Sequence, residues 1–78
     1  MTVRVYSTPI CPVCYTLKQF LQQNNVEFEE IDVSQNKEMA EYMIQKTGQI
    51  GVPVLEIDGQ FLTGFDREKI SQLLKIKS

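Results

Sequence analysis

Val3-Arg4-Val5-Tyr6-Ser7-Thr8-Pro9-Ile10-Cys11-Pro12-Val13-Cys14 decides how this chain folds, because it holds a strand, a turn and a helix start in that order. Val3 to Tyr6 carry the β-branched and aromatic residues of a short strand. Ser7-Thr8-Pro9 ends it as a turn. Pro12 suits the first turn of a helix, where its missing N–H costs no hydrogen bond. Cys14, Leu17, Phe20 and Leu21 then recur at helical spacing and predict one buried face. Asn24-Asn25 is the expected stop, since asparagine tolerates the left-handed conformation.

Further along, Val26, Phe28, Ile31 and Val33 predict a second strand, with Glu27, Glu29 and Glu30 interspersed. Ser34 is the expected N-cap of a second helix with Met39, Ala40, Met43 and Ile44 on one face. Lys37 would then stand at the third helical position, where a capping box needs Glu or Gln. Gly48 ends that helix. Val52, Val54, Leu55 and Ile57 form a third strand, Asp58-Gly59 a two-residue hairpin turn, and Phe61-Leu62 the return. Asp66 is expected to cap a last helix that buries Ile70, Leu73 and Leu74, with Lys75 and Lys77 suiting its C-terminal dipole. The order β-α-β-α-β-β-α predicts an α/β fold: a four-stranded mixed sheet flanked by three helices. Its first two strands run parallel through a right-handed crossover, and its last two antiparallel.

All 78 residues fit one domain, with no repeats, linkers or low-complexity segments. An apolar share of 42% with 23% charged residues is that of a globular chain, and a net charge of −2 gives nucleic acid or an anionic membrane no hold. No apolar run is long enough to span a bilayer. Met-Thr-Val-Arg-Val lacks the apolar stretch of a signal peptide, which places the chain in a reducing cytoplasm, where a monomer is expected.

In such a compartment two cysteines imply redox or metal chemistry more than a structural bridge. Cys11 and Cys14 fall where a strand hands over to a helix, and that placement separates the readings. A sulfur at a helix N-terminus meets free N–H groups and the positive end of the macrodipole, so the thiolate is favoured and the pKa falls below the free value of about 8.5. Cys14, one turn inward among apolar residues, reaches back to close a disulfide. Cys11 is therefore read as the attacking sulfur and Cys14 as the resolving one. Lys18, on the same helical face, is either a cation that favours the thiolate and steers anions or a plain surface lysine. The rivals are a buried inert pair and a metal site. Zinc wants four ligands, and a chain with two sulfurs and no histidine reaches that number only by pairing with a second copy or an external thiol, as an iron–sulfur carrier would. No metal is expected otherwise.

Tyr6-Ser7-Thr8-Pro9-Ile10-Cys11-Pro12-Val13-Cys14, Gly51-Val52-Pro53-Val54 and Gly64-Phe65-Asp66, with Lys18 after the first block, resemble the glutaredoxin-like proteins over nearly the whole chain. Thioredoxin proper is a poorer match, for Trp-Cys-Gly-Pro-Cys is missing and its buried aspartate falls at Val5. The resemblance implies a thiol-disulfide oxidoreductase of the thioredoxin fold that reduces protein or mixed disulfides without a bound cofactor. It implies a cis bond at Val52-Pro53 that sets the Val52 backbone beside Cys11 for an added peptide strand or glutathione, with Thr8, Pro12 and Val13 bordering the dithiol. Gly64, Phe65 and Asp66 would let substrate approach closely and present a helix start to its carboxylate. Thr8 and Val13 stand where many glutaredoxins have a basic residue and a tyrosine that hold glutathione. Thr63-Gly64-Phe65 is similar to the Ser-Gly-Phe of NrdH-type redoxins, which draw electrons from thioredoxin reductase and serve ribonucleotide reductase. The flanking Trp and Arg of those redoxins correspond here to Leu62 and Asp66. The expected electron donor is thus glutathione or a thioredoxin-reductase-type flavoprotein. A non-catalytic binding module using the Val52-Pro53 groove is the remaining reading.

Overall fold

The computed structural model describes residues 2–75. Its elements follow the expected order: strand β1 (Val3–Ser7), helix α1 (Pro12–Gln23), strand β2 (Glu29–Asp32), helix α2 (Lys37–Thr47), strands β3 (Val54–Ile57) and β4 (Gln60–Thr63), and helix α3 (Arg67–Leu74). The strands lie in the order β2-β1-β3-β4. β1 runs parallel to β2, β3 pairs antiparallel with β1, and β3 and β4 close an antiparallel hairpin. Asp58 and Gly59 both take positive φ, 48° and 86°, as a type I′ turn demands. Lys77 lies outside the described residues.

Strand alternation sorts the core into two. Val3, Val5, Leu55 and Ile57 face α1 and α3 and pack with Leu17, Phe20, Leu21 and Ile70. Tyr6, Ile31 and Val54 face α2 and meet Met43. The central strands are covered on both faces, which is why their sequences read as nearly unbroken apolar runs. Of the stripe expected on α2, Met43 alone is fully buried, while Met39, Ala40 and Ile44 are half-buried; Leu73 and Leu74 are likewise half-buried. Among the described residues no helix is long and apolar enough to cross a membrane.

The element ends show which local signals prevail. α1 stops as expected: Asn24 is the C-cap and Asn25 takes φ 59°. Val26 N–H bonds Leu21 C=O at 2.9 Å and Asn25 N–H bonds Gln22 C=O at 3.1 Å, a Schellman motif. That motif holds Val26 off the sheet, so β2 begins at Glu29 rather than Val26. The expectation of Ser34 as N-cap is corrected: Asn36 caps α2, its side chain accepting from Met39 N–H at 3.1 Å. Ser34 is unavailable because its own N–H and hydroxyl both donate to Asp32 Oδ1. Lys37 is consequently the first helical residue, outside any capping box. β3 starts at Val54, two residues later than predicted. Gly48, with φ 73°, closes α2, and Asp66 caps α3 by accepting from Lys69 N–H at 3.2 Å.

Among the described residues one buried carboxylate breaks the apolar pattern. Glu56, 6% exposed, sits on the α2 side of β3. Tyr6 Oη donates to its Oε1 at 2.6 Å, and the Arg4 guanidinium lies 3.7 Å from the same oxygen. Burial first, and the bond to Glu56 second, push the Tyr6 phenol well above its ordinary value. Tyr6→Phe is expected to cost about 1–3 kcal/mol, read as a lower urea midpoint, because it strips a buried carboxylate of its donor. The folded state keeps the Tyr6 proton above the unfolded value of about 10. Its contribution to stability is therefore complete below that pH and is lost as pH rises beyond it.

Candidate active site

β1 delivers the chain to the edge of the sheet at Ser7, and four residues later the Cys11-to-Cys14 turn opens α1. Cys11 is the helix N-cap, in extended conformation (φ −106°, ψ 106°), and Pro12 is the first helical residue. Cys11 C=O accepts the first helical bond, from Tyr15 N–H at 3.2 Å. Its sulfur takes the place of the usual capping oxygen and accepts from Cys14 N–H at 3.1 Å. The two sulfurs are joined as a disulfide, with Cα atoms 5.2 Å apart. Their surroundings differ: Cys11 is half-buried, and Cys14, on the buried stripe with Leu17 and Leu21, is fully enclosed.

Apolar side chains flank the pair in the open. Ile10 is 90% exposed, and Val13 and Tyr15 also face solvent. Thr8 is half-buried and Pro12 exposed. The Val52-Pro53 peptide is cis. Pro53 is buried and its C=O accepts from Gly64 N–H at 3.0 Å, so the second and third sequence blocks meet across the mouth of the β3–β4 hairpin. Val52 is half-buried, and among the described residues its N–H and C=O have no backbone partner. Gly64 takes φ 73°, a conformation that favours glycine. Phe65 turns inward, edge-on to Phe20 at 5.7 Å, with the Arg67 guanidinium over the Phe20 ring. Asp66 is exposed and engaged with its own helix at Lys69 N–H.

Lys18 does not stand free. Its ammonium donates to Glu30 Oε2, and buried Ser7 Oγ donates to the same oxygen at 3.2 Å. Sequence reasoning did not single out Ser7, Glu30, Tyr6 or Glu56; the only signal was glutamates in strands whose alternation called for apolar residues. Among the described residues no three His, Cys, Asp or Glu side chains gather as a metal would require.

A β2-β1-β3-β4 sheet between two helical layers, with a Cys-x-x-Cys pair at the start of the first helix and a cis-proline loop before β3, is the thioredoxin fold in its dithiol oxidoreductase form. The glutaredoxin family model matches residues 3–62, and the chain belongs to that family. It is 36% identical over 73 residues to an uncharacterized glutaredoxin-like 8.6 kDa protein in the rubredoxin operon of Clostridium pasteurianum, covering 94% of this chain and 97% of that one. A mutant of the thioredoxin-like protein BC3987 superposes with a TM-score of 0.92 at 37% identity, covering 97% of each chain. The glutaredoxin-like NrdH-redoxin of Escherichia coli, whose activity profile is described as thioredoxin-like, superposes at 0.84 with 26% identity, over 94% of this chain and 95% of that one. The protein is a glutaredoxin-like thiol oxidoreductase.

Proposed function

We propose that this protein reduces protein or mixed disulfides in a reducing cytoplasm, as a monomer, by cycling Cys11 and Cys14 between dithiol and disulfide. The observation that carries the reading is the asymmetry of the pair: a half-buried sulfur that caps a helix, and a fully buried one a turn behind it. The Cys11 thiolate attacks a substrate disulfide, one substrate sulfur leaves, and a mixed disulfide forms. Cys14 then attacks the Cys11 sulfur and the second substrate sulfur leaves. Two electrons pass to the substrate, both substrate sulfurs end as thiols, and the Cys11–Cys14 bond remains. The unpartnered backbone of Val52 offers the groups to which an extended peptide adds as a strand, with Thr8, Pro12, Val13, Gly64, Phe65 and Asp66 bordering that path. No bound cofactor is required, only a reductant.

A second reading concerns that reductant. From Thr8 to Gln23 the only charged residue is Lys18, and it is paired with Glu30. Glutathione brings carboxylates that need cationic or N–H partners, and the Thr8-to-Gln23 side of the site offers them no free cation, which supports a thioredoxin-reductase-type flavoprotein as the donor to set against glutathione. The test follows NADPH consumption with insulin as substrate, supplied by either thioredoxin reductase or glutathione with its own reductase. Faster turnover with the flavoprotein is expected. The reverse order assigns glutathione, and no turnover with either donor overturns the oxidoreductase reading.

A further inference from the structure

Ser7, Glu30 and Lys18 form a polar chain on the α1 side of the sheet that the dithiol exchange itself does not use. Glu30 stands beside Val5 in the β1–β2 register, hence on the face that α1 covers. Its Oε2 accepts from Ser7, the last residue of β1 before the loop to Cys11, and from Lys18, the only charged side chain on α1. Lys18 follows Cys14 by one turn, with Cβ atoms at this spacing about 5–6 Å apart. Helical side chains as a rule lean toward the helix N-terminus, which directs Lys18 toward the turn that holds Cys14 rather than away from it. The charged groups around Glu30 are thus Lys18 from α1 and Asp32 from its own strand, with the Ser7 hydroxyl from β1. Lys18 outweighs Asp32 and holds the Glu30 carboxyl below the usual carboxylate range. Glu30 is therefore ionised at neutral pH.

We infer that Glu30 is a positioning residue for the dithiol: it anchors Lys18 beneath the active-site turn and cancels part of its charge, so that the sulfurs feel a weaker positive field than a free lysine would exert. The inference rests on the dithiol reading of Cys11 and Cys14, but its readouts need no turnover.

Glu30→Gln keeps the size of the side chain and an acceptor for Ser7 while removing the charge. The uncompensated Lys18 should then stabilise the thiolate, and the pH midpoint of Cys11 alkylation by iodoacetamide should fall by about half a unit or more. A stabilised thiolate also favours the reduced form, so equilibration against a glutathione redox buffer should show more dithiol than in the parent protein. Lys18→Met should raise the midpoint, and because the two charges act on the sulfurs additively, Glu30→Gln in that background should bring it back down toward the parent value. An unchanged midpoint and redox equilibrium in Glu30→Gln, whatever the thermal stability does, would make the chain a strut only and overturn the inference. A midpoint that does not rise in Lys18→Met also overturns it. A protein that shows the expected midpoints but reduces no disulfide defeats the proposed function instead, and leaves the positioning role standing.

Discussion

Cys11→Ser is expected to lower disulfide reduction by about a thousandfold or more, to the background of the assay, with the fold intact. A serine hydroxyl at the N-cap keeps the acceptor for Cys14 N–H, and serine is among the best capping residues, so α1 loses nothing. What disappears is the anion. Serine remains protonated where a thiol at a helix start is ionised, and the chain has no histidine to act as a base in its place. Cys14 cannot substitute, being fully enclosed beneath the first turn. Insulin reduction measured with whichever donor serves the parent protein reads the loss, and an unchanged circular dichroism spectrum shows that folding is not its cause. Substantial residual activity would move the attacking role away from Cys11.

That the site could be anticipated at all reflects the short range of its signals. The strand-turn-Cys11-Pro12 run, the Asp58-Gly59 turn, the Gly48 stop and the Asp66 cap each depend on neighbours within a few residues, and each formed where expected. Ser34 failed as a cap for an equally local reason, yet one that periodicity does not reveal: Asp32 competes for its hydroxyl, and Asn36 is left to cap α2. Val26 and Phe28 looked like strand residues because they are apolar. They are apolar because they pack against the core from the connection between α1 and β2. Longer-range polar pairs left no trace beyond a glutamate out of pattern in a strand. Glu56 lies in a run that reads as a buried strand, and the phenol that satisfies it comes from Tyr6, fifty residues away. Glu30 finds Lys18 across the sheet-to-helix boundary at a separation of 12. The sequence shows a glutamate and a lysine; that one restrains the other near the dithiol is a matter of three-dimensional placement.

Cys14→Ser should fail differently from Cys11→Ser, and the difference separates the roles of the two sulfurs. With Cys11 intact, the first exchange proceeds and a mixed disulfide with the protein substrate forms. In the parent protein Cys14 then attacks from within bonding reach, its Cα 5.2 Å from that of Cys11. The attack is intramolecular, so its effective concentration far exceeds that of thiols in solution. Serine in that position supplies no sulfur, and the adduct persists until an external thiol reaches Cys11. The expected result is accumulation of a covalent complex with a protein disulfide substrate, visible on a non-reducing gel and released by dithiothreitol. Multiple-turnover insulin reduction by the flavoprotein route should fall to background. Added glutathione should restore part of the turnover, because a small thiol reaches the half-buried Cys11 sulfur that the enclosed residue can no longer serve. Serine's smaller volume also leaves little strain in the buried stripe, so the defect belongs to chemistry rather than packing. If the variant turned over at the parent rate without forming any adduct, the resolving role would not belong to Cys14, and a monothiol cycle through Cys11 would replace the dithiol one.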